Sequence, residues 1–182
     1  MPHDDYITLP HPRSTVQSMT SHDISTSPET MHNVSFAVVD FETTGLNPET
    51  DRIVQLAAVI VNGDGDITDS FDTIVKPESP SEYQHGAEHI HGISVEQVSG
   101  GMPLRKALEQ LWSINAGHVS TAHNAAFDLG FLHAESKRVG LEGHVDVHVD
   151  TLELARRTTG ADTTRKHNLF ALCEHYGIER DK

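Results

Sequence analysis

The apolar run Ile53–Val61 constrains the fold of this chain more strongly than any other stretch. With Gln55 as its one polar residue, the run is too apolar for a strand with a solvated face, and it predicts a central strand in a covered sheet. Residues 62–66, NGDGD, have the composition of a tight hairpin turn. A strand Ile67–Lys76 after the turn and a strand over 35–40 before the run would complete an antiparallel trio.

Helical and strand patterns alternate after the third strand. Ser94 and Gln97 have the spacing of a capping box, which predicts a small helix. Further helices are predicted over residues 103–114, 126–139, about 151–157 and 168–176, with short strands over 119–123 and 145–149. Three strands followed by this alternation predict an α/β fold, a mixed sheet with helices packed on its faces.

Residues 1–32 contain few side chains that could build a core. The stretch is rich in Ser, Thr, His and Pro, and its apolar residues stand singly. It is expected to be a disordered tail, with residues 33–182 forming the globular domain. A second explanation stays open: Met31 lies just before the first strand, and a start codon placed too early would give the same sequence.

The composition limits the classes of partner. The chain has 13 Lys and Arg against 27 Asp and Glu, a formal net charge of −14, which disfavours binding of nucleic acid through a broad basic surface. The single cysteine, Cys173, cannot form an internal disulfide, and no signal peptide is recognisable. No run approaches the roughly 18 apolar residues of a membrane-spanning helix. A cytoplasmic protein without a membrane partner is therefore expected.

Two acids stand one residue apart where the first strand is predicted to end. Residues 38–46 read VVDFETTGL, and strand geometry places Asp40 and Glu42 on the same face. Two carboxylates held together repel each other unless a cation lies between them, and Mg²⁺ and Mn²⁺ prefer such oxygen ligands. The pair is a candidate metal site, although a strand that runs into a polar turn would show the same residues.

A third acid occurs in the stretch 123–132, HNAAFDLGFL. His123 and Asn124 end a predicted strand, and Asp128 falls in the first turn of the next helix. Each residue also has an ordinary interpretation. A carboxylate near a helix start gains about 0.5 kcal/mol from the helix dipole. A lone histidine is more often structural than catalytic, and Phe127 could simply be a core residue.

Five stretches, taken in order, resemble one family of proteins. They are DFETTG at 40–45, HGIS at 91–94, HNAAFDLGFL at 123–132, VDTLELARR at 149–157 and HNLFALCEHYGI at 167–178. The residues of these stretches and their order resemble those of the DEDD-type 3′→5′ exonucleases, in particular the proofreading epsilon subunit of bacterial DNA polymerase III and its relatives. The resemblance covers residues 34–182, which is essentially everything outside the tail.

The resemblance implies a fold and a chemistry. The fold would be ribonuclease H-like, a mixed β-sheet flanked by helices, and the activity would be hydrolysis of phosphodiester bonds at the 3′ end of a nucleic acid. Asp40, Glu42 and Asp128 match three of the family's four metal-binding acids and would be catalytic, holding two Mg²⁺ or Mn²⁺ ions. Two such ions can clamp the attacking and leaving oxygens of an in-line displacement.

Further positions match family residues that contact the substrate. They are Thr43, Thr44, Gly45, Leu46, His91, His123, Asn124 and Phe127. The two threonines would hold the terminal nucleotide, and Leu46 would pack near the last base. His123 would contact the scissile phosphate, and Phe127 could stack on a base or sugar. Each position has an alternative role in packing or in loop structure, with equal weight.

Three other places in the sequence have roles near the site that the resemblance implies. His91 and Ile93 would belong to a loop that flanks the base pocket. Gly45 has no Cβ, which would allow the substrate or the chain itself a close approach. Asp150 matches a family acid that supports the site from outside the metal ligands, with a helix cap as the preferred alternative.

The family pattern closes with a motif that this sequence does not contain, a histidine followed by an acid five residues later. The histidine takes a proton from the attacking water, and the acid is the fourth metal ligand. The expectation is a domain truncated before its last catalytic motif, with the C-terminal helix missing. Two hypotheses stay open: a 3′→5′ exonuclease of the DNA proofreading or repair type, and a catalytically deficient, nucleic-acid-binding remnant of the same fold.

The substrate is open as well. The implied partner is a single-stranded 3′ end of DNA or RNA, and a relative that trims RNA 3′ ends would carry the same motifs. The 2′-hydroxyl contact that separates the two cannot be read from one sequence. The acidic charge of −14 agrees with a strand delivered by a partner, such as a replicative polymerase subunit.

Overall fold

The structure is a computed structural model and describes residues 32–78, 83–143, 145, 147–158 and 167–179. The predicted tail, apart from its last residue, lies outside these ranges. The elements in chain order are β1 Phe36–Thr43, β2 Ile53–Val61, β3 Ile67–Lys76, α1 Glu88–His91, α2 Val95–Ser99, β4 Met102–Pro103, α3 Leu104–Asn115, β5 Val119–Ala122, α4 Ala125–Arg138, β6 His148–Asp150, α5 Thr151–Thr158 and α6 Leu169–Tyr176.

The strands form one mixed sheet in the order β4-β3-β2-β1-β5-β6. β1, β2 and β3 pair antiparallel, while β5 pairs parallel with β1 and β6 parallel with β5. The predicted antiparallel trio and the predicted α/β class are confirmed. β2 and β3 have the predicted bounds because the turn between them is well specified: the Asn62 side chain accepts the N–H groups of Asp64 and Asp66, and Gly65 has φ of 91°.

The main core lies between one face of the sheet and helices α3 and α4. Val39 and Phe41 of β1 pack there with Leu56 of β2, against Leu108 of α3 and Phe131 of α4. Side chains alternate along a strand, so the neighbours of Val39 and Phe41 in sequence point to the opposite face. The two acids of β1 are thereby directed away from the main core.

Two predicted strand boundaries are wrong by three residues each, and the other strand ends differ by at most one residue. β1 continues three residues beyond the predicted end, to Thr43, because β2 extends its ladder past the apolar part of β1. Asp40 and Glu42 therefore lie inside the strand rather than at its end. β6 begins at His148 instead of 145, since the residues that pair with β5 are 148–150.

The predicted helices are present with small shifts at their ends. The capping box of α2 is formed, with Ser94 and Gln97 in their expected roles, and α3 follows Pro103 with Leu104, Leu108 and Leu111 buried. α6 starts after Asn168, whose side chain accepts the N–H of Ala171. None of the helices in the described ranges is long and apolar enough to cross a membrane.

Candidate active site

Strand β1 presents two acids on one face. Asp40 is exposed and Glu42 is half-buried, and their partners across the ladder in β2 are the uncharged residues Ala57 and Gln55. Burial raises the pKa of Glu42, the neighbouring charge of Asp40 raises it further, and His91 lowers it. The two carboxylates are close enough to repel each other, as the strand geometry predicts.

The third acid, Asp128, reaches the same region from helix α4. β5 pairs with β1 only as far as Val38, so the start of α4 lies beside the unpaired edge of β1. The Asp128 side chain is 4% exposed. Burial and the charge of Asp40 raise its pKa to about 7, against hydrogen bonds from the N–H groups of Asp128 and Phe41, and Asp150 raises it slightly more. Two motifs 88 residues apart therefore meet through Asp40 and Asp128.

The three acids offer carboxylate oxygens, the ligands that hard divalent cations prefer. The charge of Asp40 acts on both Glu42 and Asp128, and the charged groups that shift the pKa of Asp128 are themselves carboxylates. In the part of the chain that the structure describes, no three His, Cys, Asp or Glu side chains are grouped closely enough to hold an ion by themselves. The fit therefore rests on the oxygen donors and their mutual repulsion, which a cation between them would relieve.

The Asp150 carboxylate forms hydrogen bonds with the first residues of two helices. Its carboxylate accepts N–H groups from Asn124 at 3.1 Å and Ala125 at 3.2 Å, at the beginning of α4. It also accepts N–H groups from Leu152 at 2.9 Å and Glu153 at 3.4 Å, at the beginning of α5. Burial opposes its charge, but these four N–H groups lower the pKa of Asp150 overall. The predicted helix cap is confirmed, and the same carboxylate also holds the helix that carries Asp128.

The loop after β1 uses most of its polar groups internally. The Thr43 hydroxyl donates to the carbonyl of Gly45 at 2.6 Å, and the Thr44 hydroxyl accepts the N–H of Arg52 at 3.0 Å. A Cβ on Gly45 would lie 2.4 Å from a carboxylate oxygen of Asp51, so the close approach at this glycine is made by the chain itself. The Thr44 hydroxyl keeps its own proton free to donate, so a substrate contact stays open there.

Leu46 extends from this loop into solvent. It is 84% exposed, the highest value among the large apolar side chains in the described residues. An apolar side chain this exposed is available to pack against a base, as the resemblance implies, and that role stays a prediction.

Both candidate histidines make hydrogen bonds within the protein through their ring nitrogens. The Nε2–H of His91 donates to the carbonyl of Gly86 at 3.0 Å, and its Nδ1 accepts the N–H of Ile93 at 3.0 Å. His123 is hydrogen-bonded through Nδ1 to the Thr151 hydroxyl at 3.1 Å. Ile93 is buried in a small second core, which favours its packing role over a place in a base pocket.

Asn124 and Phe127 lie at the start of α4 and differ in character. Asn124 is exposed and has φ of 71°, a left-handed conformation that is uncommon outside glycine, and its side chain makes no capping bond. Phe127 is half-buried with its ring centroid 5.0 Å from that of Phe131. The structure thus leaves the Asn124 side chain available for a ligand and packs Phe127 partly against the core, and the stacking role implied for Phe127 stays a prediction.

Two features near the site were not predicted from the sequence. Gly86 lies against the loop after β1, where an added Cβ would be 2.4 Å from the carbonyl oxygen of Thr44. Glu135 is fully buried on α4 and paired with Arg138. The i,i+3 spacing of this pair, just after Phe131 and Leu132, is the one sequence signal that could have revealed it.

Comparison with known proteins places the chain in a family. The sequence model of a family described as Exonuclease matches residues 37–182. The chain is similar to DNA polymerase III PolC-type from Oceanobacillus iheyensis, with 34% identity over 149 residues, and to that from Thermotoga petrophila, with 33% over 147 residues. These matches cover 82% and 80% of this chain but 10% of each relative, so the chain spans about a tenth of their length.

Solved structures of exonuclease I share the fold. The E. coli enzyme in complex with a dT13 oligonucleotide superposes with a TM-score of 0.67 and 18% identity, over 81% of this chain and 37% of that chain. A product-bound exonuclease I gives a TM-score of 0.70 and 20% identity, over 82% and 40%. These neighbours support the ribonuclease H-like mixed sheet that the motifs implied.

The matched family region contains all of the site described above, from Asp40 of β1 to the start of α5. Exonucleases of this family generally use divalent metal ions, in agreement with the three acids. The predicted resemblance is confirmed: the chain belongs to the exonuclease family, of the DEDD 3′→5′ type.

Proposed function

We propose that this chain is a 3′→5′ exonuclease that hydrolyses phosphodiester bonds at the 3′ end of single-stranded DNA, in proofreading or repair. The observation that carries the proposal is the meeting of Asp40 with the buried Asp128, whose pKa of about 7 reflects burial and carboxylate neighbours. Groups with such perturbed protonation are concentrated at functional sites. Membership of the exonuclease family supports the same conclusion.

In this proposal Asp40, Glu42 and Asp128 hold two divalent ions, Mg²⁺ or Mn²⁺. When bound, two such ions activate the attacking water and neutralise charge on the leaving 3′-oxygen. The chain's own residues bind and orient the strand end: the Thr44 hydroxyl donates to the terminal nucleotide, and Leu46 packs against its base. Asp150 keeps the start of α4, and with it Asp128, in place.

The relatives favour DNA over RNA as the substrate. The similar curated proteins are DNA polymerases, and one structural neighbour holds a dT13 oligonucleotide. The net charge of −14 gives this chain little attraction for a nucleic-acid backbone, so the proposal includes a polymerase partner that delivers the strand.

The test is a degradation assay with the 182-residue chain. A 5′-labelled single-stranded DNA oligonucleotide is incubated with Mn²⁺, and shortening from the 3′ end is expected, faster than for an RNA of the same sequence. EDTA should stop the reaction. Binding without shortening by the folded chain would contradict the proposal and favour a nucleic-acid-binding module. Faster loss of the RNA would instead favour an RNA-trimming enzyme.

A further inference from the structure

Glu135 lies on α4 two turns after Asp128 and is 0% exposed. One of its carboxylate oxygens accepts the N–H of Ile53 at 3.2 Å and lies 3.1 Å from Nη1 of Arg138. Ile53 is the first residue of β2, directly after the loop 44–52. Glu135 therefore holds the end of the loop whose beginning carries Thr44 and Leu46.

Arg138 holds the middle of the same loop. Its Nη2 donates to the carbonyl of Pro48 and, at 2.7 Å, to the carbonyl of Glu49. Within the loop, the Asp51 carboxylate accepts the N–H of Asn47 at 2.8 Å. The loop is thus stabilised by a hydrogen bond of its own and attached to α4 in its middle, by Arg138, and at its end, by Glu135.

The burial of Glu135 beside the half-buried Arg138 argues for a positioning role of the pair. A buried ion pair is often no more stabilising than apolar side chains of the same volume, because desolvation offsets the attraction. The second carboxylate oxygen of Glu135 is buried and has no hydrogen-bond partner within the described residues, which adds to the unfavourable side. Apolar side chains could not bind two carbonyl groups of the loop and the N–H group of Ile53 that follows it.

We propose that Glu135 and Arg138 are positioning residues for the 3′-terminal nucleotide, because they fix the loop 44–52 relative to the helix that carries Asp128. The inference rests on the proposed function, since it gives the loop its substrate. It predicts that loss of the pair loosens the loop and weakens binding of the strand end, with little effect on the chemical step.

The experiment compares Arg138→Met, Arg138→Lys and Glu135→Gln with Arg105→Lys as the matched control. Arg105 of α3 donates to the carbonyl of Val139, the residue directly after α4, so it makes the same kind of bond without touching the loop. Hydrogen exchange of the amides in 44–52 is measured on the free chain. KM and kcat are measured with single-stranded DNA and Mn²⁺.

Arg138→Met should raise KM about tenfold with kcat within about twofold, and exchange in 44–52 should accelerate about tenfold or more. Arg138→Lys keeps the charge beside Glu135 but loses the forked reach to two carbonyls, so an intermediate KM is expected. Arg105→Lys should change neither quantity. If the variants lose thermal stability while KM and loop exchange match the wild type, the positioning role is overturned. A wild-type chain without any turnover would overturn the proposed function, and this inference with it.

Discussion

Asp128 and Glu135 are buried on the same helix, at 4% and 0% exposure, and their surroundings differ in charge. Glu135 lies beside Arg138, and Arg52 also contributes positive charge. Asp128 lies near two other carboxylates, Asp40 and Asp150. Burial raises the pKa of both side chains, but only at Glu135 do arginines oppose the rise.

The difference indicates two uses for a buried acid. At Glu135 the protein supplies the positive partner, and the result is an internal attachment between a helix and a loop. At Asp128 the charges that act on the side chain are negative, so a cation from solution would stabilise its ionised form beyond what the N–H groups of Asp128 and Phe41 provide. In a family that uses divalent metal ions, the second arrangement is the one suited to catalysis.

Removal of a metal ligand should give the largest effect. Asp40→Ala is expected to lower the rate of DNA shortening by about 10³-fold or more, because it removes the carboxylate that acts electrostatically on both Glu42 and Asp128 and would bind the metal ions with them. Asp40 is exposed, so the fold should be unaffected, as judged by thermal melting. Asp69→Ala, an exposed acid on β3, is the control and should keep full activity. Undiminished activity in Asp40→Ala would refute the metal assignment.

Substitution of the two buried acids should change stability in opposite directions. Glu135→Ala is expected to lower the free energy of unfolding by roughly 3–5 kcal/mol, because it leaves Arg138 without its partner and opens a cavity. Asp128→Asn, in EDTA at pH 8, should raise it by up to a few kcal/mol, because an unfavourable buried charge is removed. Urea titration measures both. Destabilisation by both substitutions would remove the contrast between the two acids.

The stability that depends on Asp128 should fall as pH rises. Its pKa is about 7 in the folded chain against 3.8 for the free side chain, so its contribution is fully present below about pH 4 and is lost by about pH 7. The difference in free energy of unfolding between Asp128→Asn and the wild type, in EDTA, should therefore grow over this range. A difference that is independent of pH would contradict the shifted pKa.

A smaller effect is expected at the contact between Gly86 and Thr44. Gly86→Ala would place a Cβ 2.4 Å from the Thr44 carbonyl oxygen, so the loop after β1 must shift. KM should rise several-fold, with a loss of about 1 kcal/mol in stability. Gly100→Ala is the matched control, because its nearest non-neighbouring atom would be at 3.7 Å. Equal KM values for the two variants would show that the loop tolerates the shift.

Much of the fold could be predicted from local patterns. β2 and β3 have the predicted bounds because a continuous apolar run and a specified turn fix them, and Ser94 caps its helix as expected. The end of β1 could not be predicted in this way. Its last three residues are polar or aromatic, and they are in the strand because β2 continues the ladder beside them.

The acids of the candidate site could be singled out from the sequence, but the contacts around them could not. Asp40, Glu42 and Asp128 were found through their motifs, and the structure brings them into electrostatic contact through Asp40. The use of the Thr43 hydroxyl inside the loop depends on the path of the chain after β1, which local patterns do not contain. The burial of Glu135 likewise depends on a loop more than 80 residues earlier in the sequence.

The central claim is that a divalent ion supplies the positive charge that Asp128 lacks, and proton release tests it most directly. At pH 6 a carboxyl group with a pKa of about 7 is mostly protonated, and it must lose its proton to bind a metal ion. Calorimetric titration with Mn²⁺ in buffers of different ionisation enthalpy counts the protons released. The wild type should release about one proton more per chain than Asp128→Asn, and Glu135→Gln should match the wild type. Binding of Mn²⁺ by the wild type at pH 6 without proton release would contradict the account.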